Sequence, residues 1–361
     1  MSKRKHNVQQ LSITFVERKN RRGSGSRKPR AIGLFAGCGG LDLGFKNAGF
    51  EIVYANDFDP SVKETYEYNL GKIDICDISK VDKSTLPDCD VLLAGIPCQP
   101  FSNAGNRNST KDHRGNLFSE VISILKIKKP KVVVFENVRG FLSSKDDRGQ
   151  LMPLRLSKDL KKLGYDTFYK LLNAADYEVP QNRFRVFIIG VRSDVGCTYE
   201  FPDPVYSSRD LTVGSVLSKP LPRDEEQEVW ELPPQAKKLI VHIPPGGSWK
   251  DIPYRHLPER LKKIRNDMQR YHSPNFYRRF DEDEIMGTIT AAGTPENSGI
   301  LHPFEKRRYS VREIARFQSF PDSFKFIGKS VAKKYKMIGN AVPVNLGFHI
   351  AKSIVEQIDF E

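Results

Sequence analysis

Between residues 31 and 135, short apolar runs rich in β-branched residues recur at 31–35, 51–55, 72–75, 90–94 and 131–135. Helix-like segments near 40–48, 60–69 and 115–128 fall between several of them. Strands joined through helices run parallel in one sheet, with the helices packed on its faces. A further helix near 150–163 precedes two more runs, 168–172 and 185–191, which only a dozen residues, including Pro180, separate. That connection is too short for a helical crossover, so these two strands should pair antiparallel. The expectation is an α/β fold with a mostly parallel seven-stranded sheet and one reversed strand near an edge.

The rhythm stops after about residue 195. Prolines cluster at 202, 204, 220, 222, 233, 234, 244, 245, 253 and 258, which predicts a second, smaller and loop-rich domain over 195–305. Helical pattern returns at 310–318 and 340–358. The first domain, 31–194, is therefore expected to be completed by a returning segment, 306–361. Ahead of both lies a basic arm. Residues 1–30 hold ten Lys and Arg and one acid, a net +9, so the other 331 residues carry only +5 of the total +14. The arm is poor in apolar residues and contains Arg22-Gly23-Ser24-Gly25-Ser26-Arg27, which reads as flexible chain. It attracts phosphates or is a solvated tail. No apolar run is long enough to span a bilayer, and no leader pattern is visible. Five cysteines without a CxxC pair suit neither a disulfide framework nor a zinc site. A reducing cytoplasm is expected.

Ligands of open α/β sheets bind at the carboxyl ends of the strands, and the unusual residues fall at those ends. The first run leads into Phe35-Ala36-Gly37-Cys38-Gly39-Gly40, and the second into Asn56-Asp57-Phe58. The third meets Cys76-Asp77-Ile78, the fourth Gly95-Ile96-Pro97-Cys98-Gln99-Pro100, and the fifth Glu136-Asn137-Val138. The glycine loop lets backbone approach a ligand closely. Asp57 follows Gly37 by 20 residues, about the spacing at which a carboxylate meets ribose hydroxyls. This signals a nucleoside cofactor, and a dinucleotide would fit as well. Phe58 either covers an adenine face or belongs to the core. Cys38, Cys76, Cys89 and Cys197 read as small buried hydrophobes. Cys98, stiffened by Pro97 and Pro100 beside the cofactor loop, reads as a presented thiolate. Glu136 is either a carboxylic acid held close to it or a helix cap. Arg183 and Arg185 alternate onto one face of the last strand and need acceptors there.

Taken in order, Phe35 to Leu41, Pro97 to Ser102, Glu136 to Val138, Gln181 to Arg185 and Gly339 to Pro343 resemble the motif series of cytosine-5 DNA methyltransferases. Arg312 to Asp322 resembles the late helical motif of that family. The resemblance covers roughly 31–192 and 307–350, and 195–305 corresponds to the variable target-recognition region. It implies a Rossmann-like catalytic domain, S-adenosylmethionine as methyl donor and a cytosine flipped out of double-stranded DNA as substrate. Cys98 would attack C6, Glu136 would bond N3 and the amine, and Arg185, supported by Arg183, would bind the O2 side. Phe35, Gly37, Gly39, Asp57, Phe58, Asp77, Ile78, Pro97, Asn340 and Val342 would line the cofactor site. Segment 101–117, with Ser102 and Arg114, resembles the loop that closes over DNA, and Thr288 would meet a phosphate. A monomer, functionally paired with a restriction endonuclease, fits chains of this length in the family.

A tRNA-methylating lineage shares the motifs, but its recognition region is shorter. An NAD-dependent enzyme would leave Cys98, Glu136 and both arginines without a task, and a catalytically dead DNA-binding subunit would not need them intact. Candidates for base reading are Arg209, the Gly246-Gly247-Ser248-Trp249 loop, Arg255 and the stretch His272 to Arg279, which sets Tyr271, Phe276 and Tyr277 among Arg270, Arg278 and Arg279. That mix is equally the edge of a small core. Deleting residues 1–30 is expected to flatten the slope of log affinity for DNA against log salt while leaving site choice intact, because phosphate contacts position and base contacts specify. A truncated protein that methylates different sequences would show that the arm reads bases.

Overall fold

The computed structural model describes residues 27–97, 117–146, 148–205, 211–222, 228–267, 276–293 and 300–361. Seven strands form one sheet: β1 (Arg30–Leu34), β2 (Glu51–Asp57), β3 (Asp74–Ile75), β4 (Val91–Gly95), β5 (Val132–Val138), β6 (Tyr165–Asn173) and β7 (Phe184–Arg192). Their order is β3-β2-β1-β4-β5-β7-β6. β7 runs antiparallel to both of its neighbours, and the other pairings are parallel. This is the mostly parallel sheet with one reversed strand that the alternation and the short last connection predict, and the Rossmann-like fold that the resemblance implies. The first six residues of β5, Val-Val-Val-Phe-Glu-Asn, are buried, because helices cover both faces of the sheet.

One face meets α1 (Gly40–Asn47) and the last helix, α10 (Val344–Gln357). Ala31, Leu93, Val134 and Phe187 pack there against Phe45, Leu346, Ile350 and Ile354. The opposite face meets α3 (Leu117–Lys128) and α4 (Met152–Lys162) through Leu92, Val133, Phe135 and Ile188 against Val121, Ile124, Leu156 and Leu160. α2 (Lys63–Asn69) is tied to the returning segment: Thr65 Oγ1 donates to the Ile327 carbonyl at 2.7 Å and Asn69 Nδ2 to that of Lys325 at 2.8 Å.

Among the described residues, the loop-rich region holds three short α-helices, α5 (Val213–Leu217), α6 (Pro234–Leu239) and α7 (Glu259–Asn266). Its own core gathers Leu232, Leu239, Ile240, Trp249, Leu261, Ile264, Phe276, Tyr277 and Leu301. The chain stays on the first domain as far as Val205. Tyr199 packs in the sheet core with its hydroxyl 2.7 Å from Ser353 Oγ, and the Val205 amide donates to the Asp176 carbonyl. α5 joins a third cluster with α8 (Val311–Phe317) and α9 (Val331–Asn340). Helix α9 interrupts the expected pattern: the segment 340–358 begins as the end of α9, and α10 starts only after Pro343. No helix among the described residues is long and apolar enough to cross a membrane.

The seat of the returning helix depends on Gly44. A Cβ there would lie 2.6 Å from the Phe348 nitrogen and 2.7 Å from the Val344 oxygen, both backbone atoms of α10. Gly44→Ala is expected to lower the unfolding free energy by about 1–3 kcal/mol, the usual cost of overpacking, as read by chemical denaturation. Unchanged stability would mean that α10 can step away from α1.

Candidate functional site

The strand order reverses between β1 and β4, the switch point where open α/β sheets leave a crevice. The loop after β1 forms one wall. Gly37 and Gly39 adopt left-handed φ of 56° and 90°, and Phe35 shares that region at 55°. The turn is held by Asp57 at the end of β2, whose carboxylate accepts from the Gly37 amide and from the Asp59 amide, each at 2.8 Å. Burial raises the Asp57 carboxyl above its ordinary range, and these amides oppose the shift. A carboxylate offers about four lone-pair positions, so acceptor capacity remains for hydroxyls. Beside it the Phe58 ring is 73% exposed, which places it on the surface and leaves a free aromatic face. Asp77 caps the turn Ile78–Lys80 through Ser79, and Ile78 is buried in the core. Pro97 and Asn340 are exposed, whereas Val342 is buried. A Cβ on Gly40 would strike the Val342 carbonyl oxygen, so the returning segment closes directly over the glycine turn. Lys336 of α9 reaches Asp59 at 3.0 Å and ties the same two walls together.

On the other side of the crevice, Glu136 and Arg185 form an ion pair, Oε1 to Nε 2.8 Å, with each side chain 11% exposed. The register explains the meeting: Val138 opposes Arg185 and Glu136 opposes Phe187, so the two are diagonal neighbours on one face of the β5–β7 ladder. Arg185 also donates to the Phe184 carbonyl at 2.8 Å. Burial pushes the Glu136 carboxyl above its ordinary range, against the pull of the Arg185 and Arg183 guanidiniums. Asn137 donates to the Ile96 carbonyl at 3.3 Å and so fastens the end of β4, two residues before Cys98, to β5. Cys98 itself, Ser102 and Arg114 lie outside the described residues. Cys38 behaves as a buried hydrophobe, its thiol pushed up to about 12 by burial.

Arg183 is placed differently from Arg185. It precedes β7, is 1% exposed, and donates to the carbonyls of Ile289 (2.7 Å), Gly339 (2.8 Å) and Ala341 (3.1 Å). All three acceptors are backbone carbonyls of segments remote in sequence. Gln181 Oε1 accepts from the Ile289 amide at 2.9 Å, and Gln181 Nε2 donates to Gln318 Oε1 at 3.1 Å. Gln318 in turn donates to the Ile338 carbonyl at 2.8 Å. Both polar groups of the Ile289 peptide are thus held by one short motif. Sequence reasoning singled out neither glutamine nor Asn137. The available signal was an amide side chain in an apolar setting, which must find partners when buried.

Thr288 is exposed and its hydroxyl donates to the Asn182 carbonyl at 2.8 Å, so contact with a phosphate requires that proton to rotate. Several base-reading candidates prove to be interior. Trp249, Phe276 and Tyr277 belong to the small core. Arg279 is buried and donates to the Ile243 and His302 carbonyls at 2.6 and 3.1 Å. Arg278 pairs with Glu284 and lies over the Phe280 ring. Arg255 is exposed and bonds His256 at 3.1 Å. Arg209, Arg270 and Tyr271 lie outside the described residues.

The model of the C-5 cytosine-specific DNA methylase family matches residues 30–356. Type II methyltransferase M.NgoFVII of Neisseria gonorrhoeae is 36% identical over 342 residues, spanning 92% of this chain and 88% of that protein. Type II methyltransferase M.HhaI of Haemophilus parahaemolyticus is 32% identical over 345 residues, spanning 92% and 96%. Among solved structures, a DNMT2 mutant of Spodoptera frugiperda superposes with a TM-score of 0.64 at 19% identity, over 91% of this chain and 99% of that one. The methyltransferase EhMeth of Entamoeba histolytica does so at 0.63 and 15%, over 92% and 99%. These two share the fold. The family model and the curated relatives go further, and the chain belongs to the C-5 cytosine-specific DNA methylase family.

Proposed function

We propose that the protein transfers a methyl group from S-adenosylmethionine to C5 of a cytosine flipped out of a specific double-stranded DNA sequence, with Cys98 as the covalent nucleophile. The observation that carries this reading is the buried Glu136–Arg185 pair beside the end of β4, which leads to Pro97-Cys98. A carboxyl raised by burial and a guanidinium, side by side, match the N3, amine and O2 edge of cytosine. An aliphatic or hydride-transfer substrate would have no use for them.

C5 of cytosine is a weak nucleophile. Addition of the Cys98 thiolate to C6 places the electron pair on C5, while Glu136, hydrogen-bonded at N3, and Arg185, at O2, stabilise the charge that develops on the ring. Bound S-adenosylmethionine supplies an electrophilic methyl group for that carbon. Loss of the C5 proton then restores the double bond and expels the thiolate. The crevice suits such a cofactor through the Asp57 carboxylate for ribose hydroxyls, Phe35 and the exposed Phe58 ring for adenine, and Asp77 with the Ile78 backbone for the adenine edge. Gly37, Gly39, Pro97, Asn340 and Val342 would frame it. Arg183 acts through position, since its donors already hold Ile289, Gly339 and Ala341.

We assign target recognition to the region 195–305, with Ser102, Arg114 and Thr288 as DNA contacts. The relatives' designation as type II methyltransferases supports a role in protecting DNA from a cognate endonuclease.

Cys98→Ser is expected to abolish methyl transfer while S-adenosylmethionine still binds, because a serine alkoxide is not available near neutral pH. DNA carrying 5-fluorocytosine should trap the wild type, since fluorine cannot leave as a proton does; absence of any such adduct would refute the mechanism. The target is read by expressing the protein in a host without cytosine methylation and sequencing its genome after bisulfite treatment. One short motif, modified near completion at one cytosine, is expected. Methylation without sequence context, or confined to RNA, would overturn the assignment.

A further inference from the structure

At the catalytic edge of the sheet, one residue beyond the Val138–Arg185 rung, the structure leaves an arginine and an aromatic ring in the open. Arg139 is exposed and follows directly on β5. Phe184, the first residue of β7, is 41% exposed, which is unusual for a ring at a strand start in this otherwise buried strand. The guanidinium of Arg139 lies over the Phe184 ring at 5.9 Å. Among the described residues no carboxylate pairs with Arg139. Strand alternation turns Phe184 to the sheet face opposite that of Glu136 and Arg185. The two sites are nevertheless coupled through one peptide, because the Phe184 carbonyl accepts from Arg185 at 2.8 Å.

A cation without a counter-charge among the described residues, stacked on an exposed ring, is held in place but not neutralised by them. The ring limits the rotamers of the side chain and so lowers the entropic cost of using it, and stacking leaves the guanidinium N–H edge free to donate. The position has one natural acceptor. A duplex that delivers a base to Glu136 and Arg185 must lay its backbone across the same edge, and phosphate oxygens accept the forked donors of arginine in pairs. The rest of the protein favours an anionic partner only weakly, since most of its excess charge sits in residues 1–30. Local cations at this edge therefore matter more.

We propose that Arg139, braced by Phe184, grips a backbone phosphate of the DNA next to the flipped cytosine. Resting on the functional reading above, this adds a DNA-positioning pair outside the base pocket. It contacts no base and so carries no sequence information. Removing it weakens the duplex complex for every sequence alike.

The test measures methyl transfer to a duplex bearing the recognised motif, across a range of salt concentrations, with wild type, Arg139→Ala, Arg139→Lys and Phe184→Ala. Arg139→Ala should raise KM for DNA about three- to tenfold, with the loss falling on KM rather than on kcat. It should also make the slope of log affinity against log salt shallower by about one, the change expected for one phosphate contact. Arg139→Lys should restore most of the slope, because a point charge still meets the phosphate. Phe184→Ala should raise KM with little change in slope, since the charge remains. Binding of S-adenosylmethionine without DNA checks that each variant is folded. An Arg139→Ala protein that binds cofactor, methylates with wild-type KM and keeps the wild-type salt slope would overturn the proposal. Altered site choice in that variant would overturn it too, by showing a base contact. A wild type that methylates no DNA would instead defeat the functional reading, and this pair would fall with it.

Discussion

A buried guanidinium has to find acceptors, and in this protein Arg183 finds them in three places that are remote in sequence. It holds the carbonyl of Ile289, 106 residues away, and those of Gly339 and Ala341, 156 and 158 residues away. Left unpaired, such a charge would cost several kcal/mol. The start of β7, the end of the loop-rich region and the end of α9 are therefore obliged to meet. Gln181 and Gln318 extend the joint by holding the other side of the Ile289 peptide and the carbonyl of Ile338. Thr288 is thereby set beside Asn182, and Ala341 and Val342 beside Gly40 of the glycine turn.

The neighbouring arginine obeys the same electrostatics with a different outcome. Arg185 meets a carboxylate, and the low polarity around the pair works against the charge on Glu136 more strongly than the two guanidiniums favour it. The antiparallel β7 is what makes this possible. A parallel strand would need a crossover and would bring a carboxyl end to this edge, whereas the reversed strand brings its amino end, with Arg185 already in register opposite Val138.

Much of the fold was legible because its signals are local. Strand β5 opens as a continuous apolar run, as burial on both faces requires, and the short link from β6 to β7 leaves no room for a helical crossover. The residues at the strand ends were legible for the same reason, since topology alone sends Phe35, Asp57, Asp77, Pro97 and Glu136 to one edge. Helix α9 escaped notice. Its apolar positions Tyr335, Met337 and Ile338 are interleaved with Lys333, Lys334 and Lys336 and closed by Gly339, so the stripe is weak until Phe320, Phe324 and Phe326 are packed against the same cluster. In the loop-rich region, aromatic residues among arginines fit a groove reader and a small core equally well. Packing decided for the core at Trp249, Phe276 and Tyr277.

By itself the sequence determined the sheet, its one reversed strand, the edge that gathers Phe35, Asp57, Asp77, Pro97 and Glu136, and the family, because strand periodicity, connection length and ordered motifs are properties of neighbouring residues. Only the tertiary structure decided which of two alternating arginines meets Glu136 and which holds distant carbonyls. Arg185 lies inside the β5–β7 ladder and Arg183 just before it, so two steps along the chain separate an ion pair in the crevice from a buried joint between segments. The partners in that joint are chosen by the closing of the whole chain, and no local pattern encodes them.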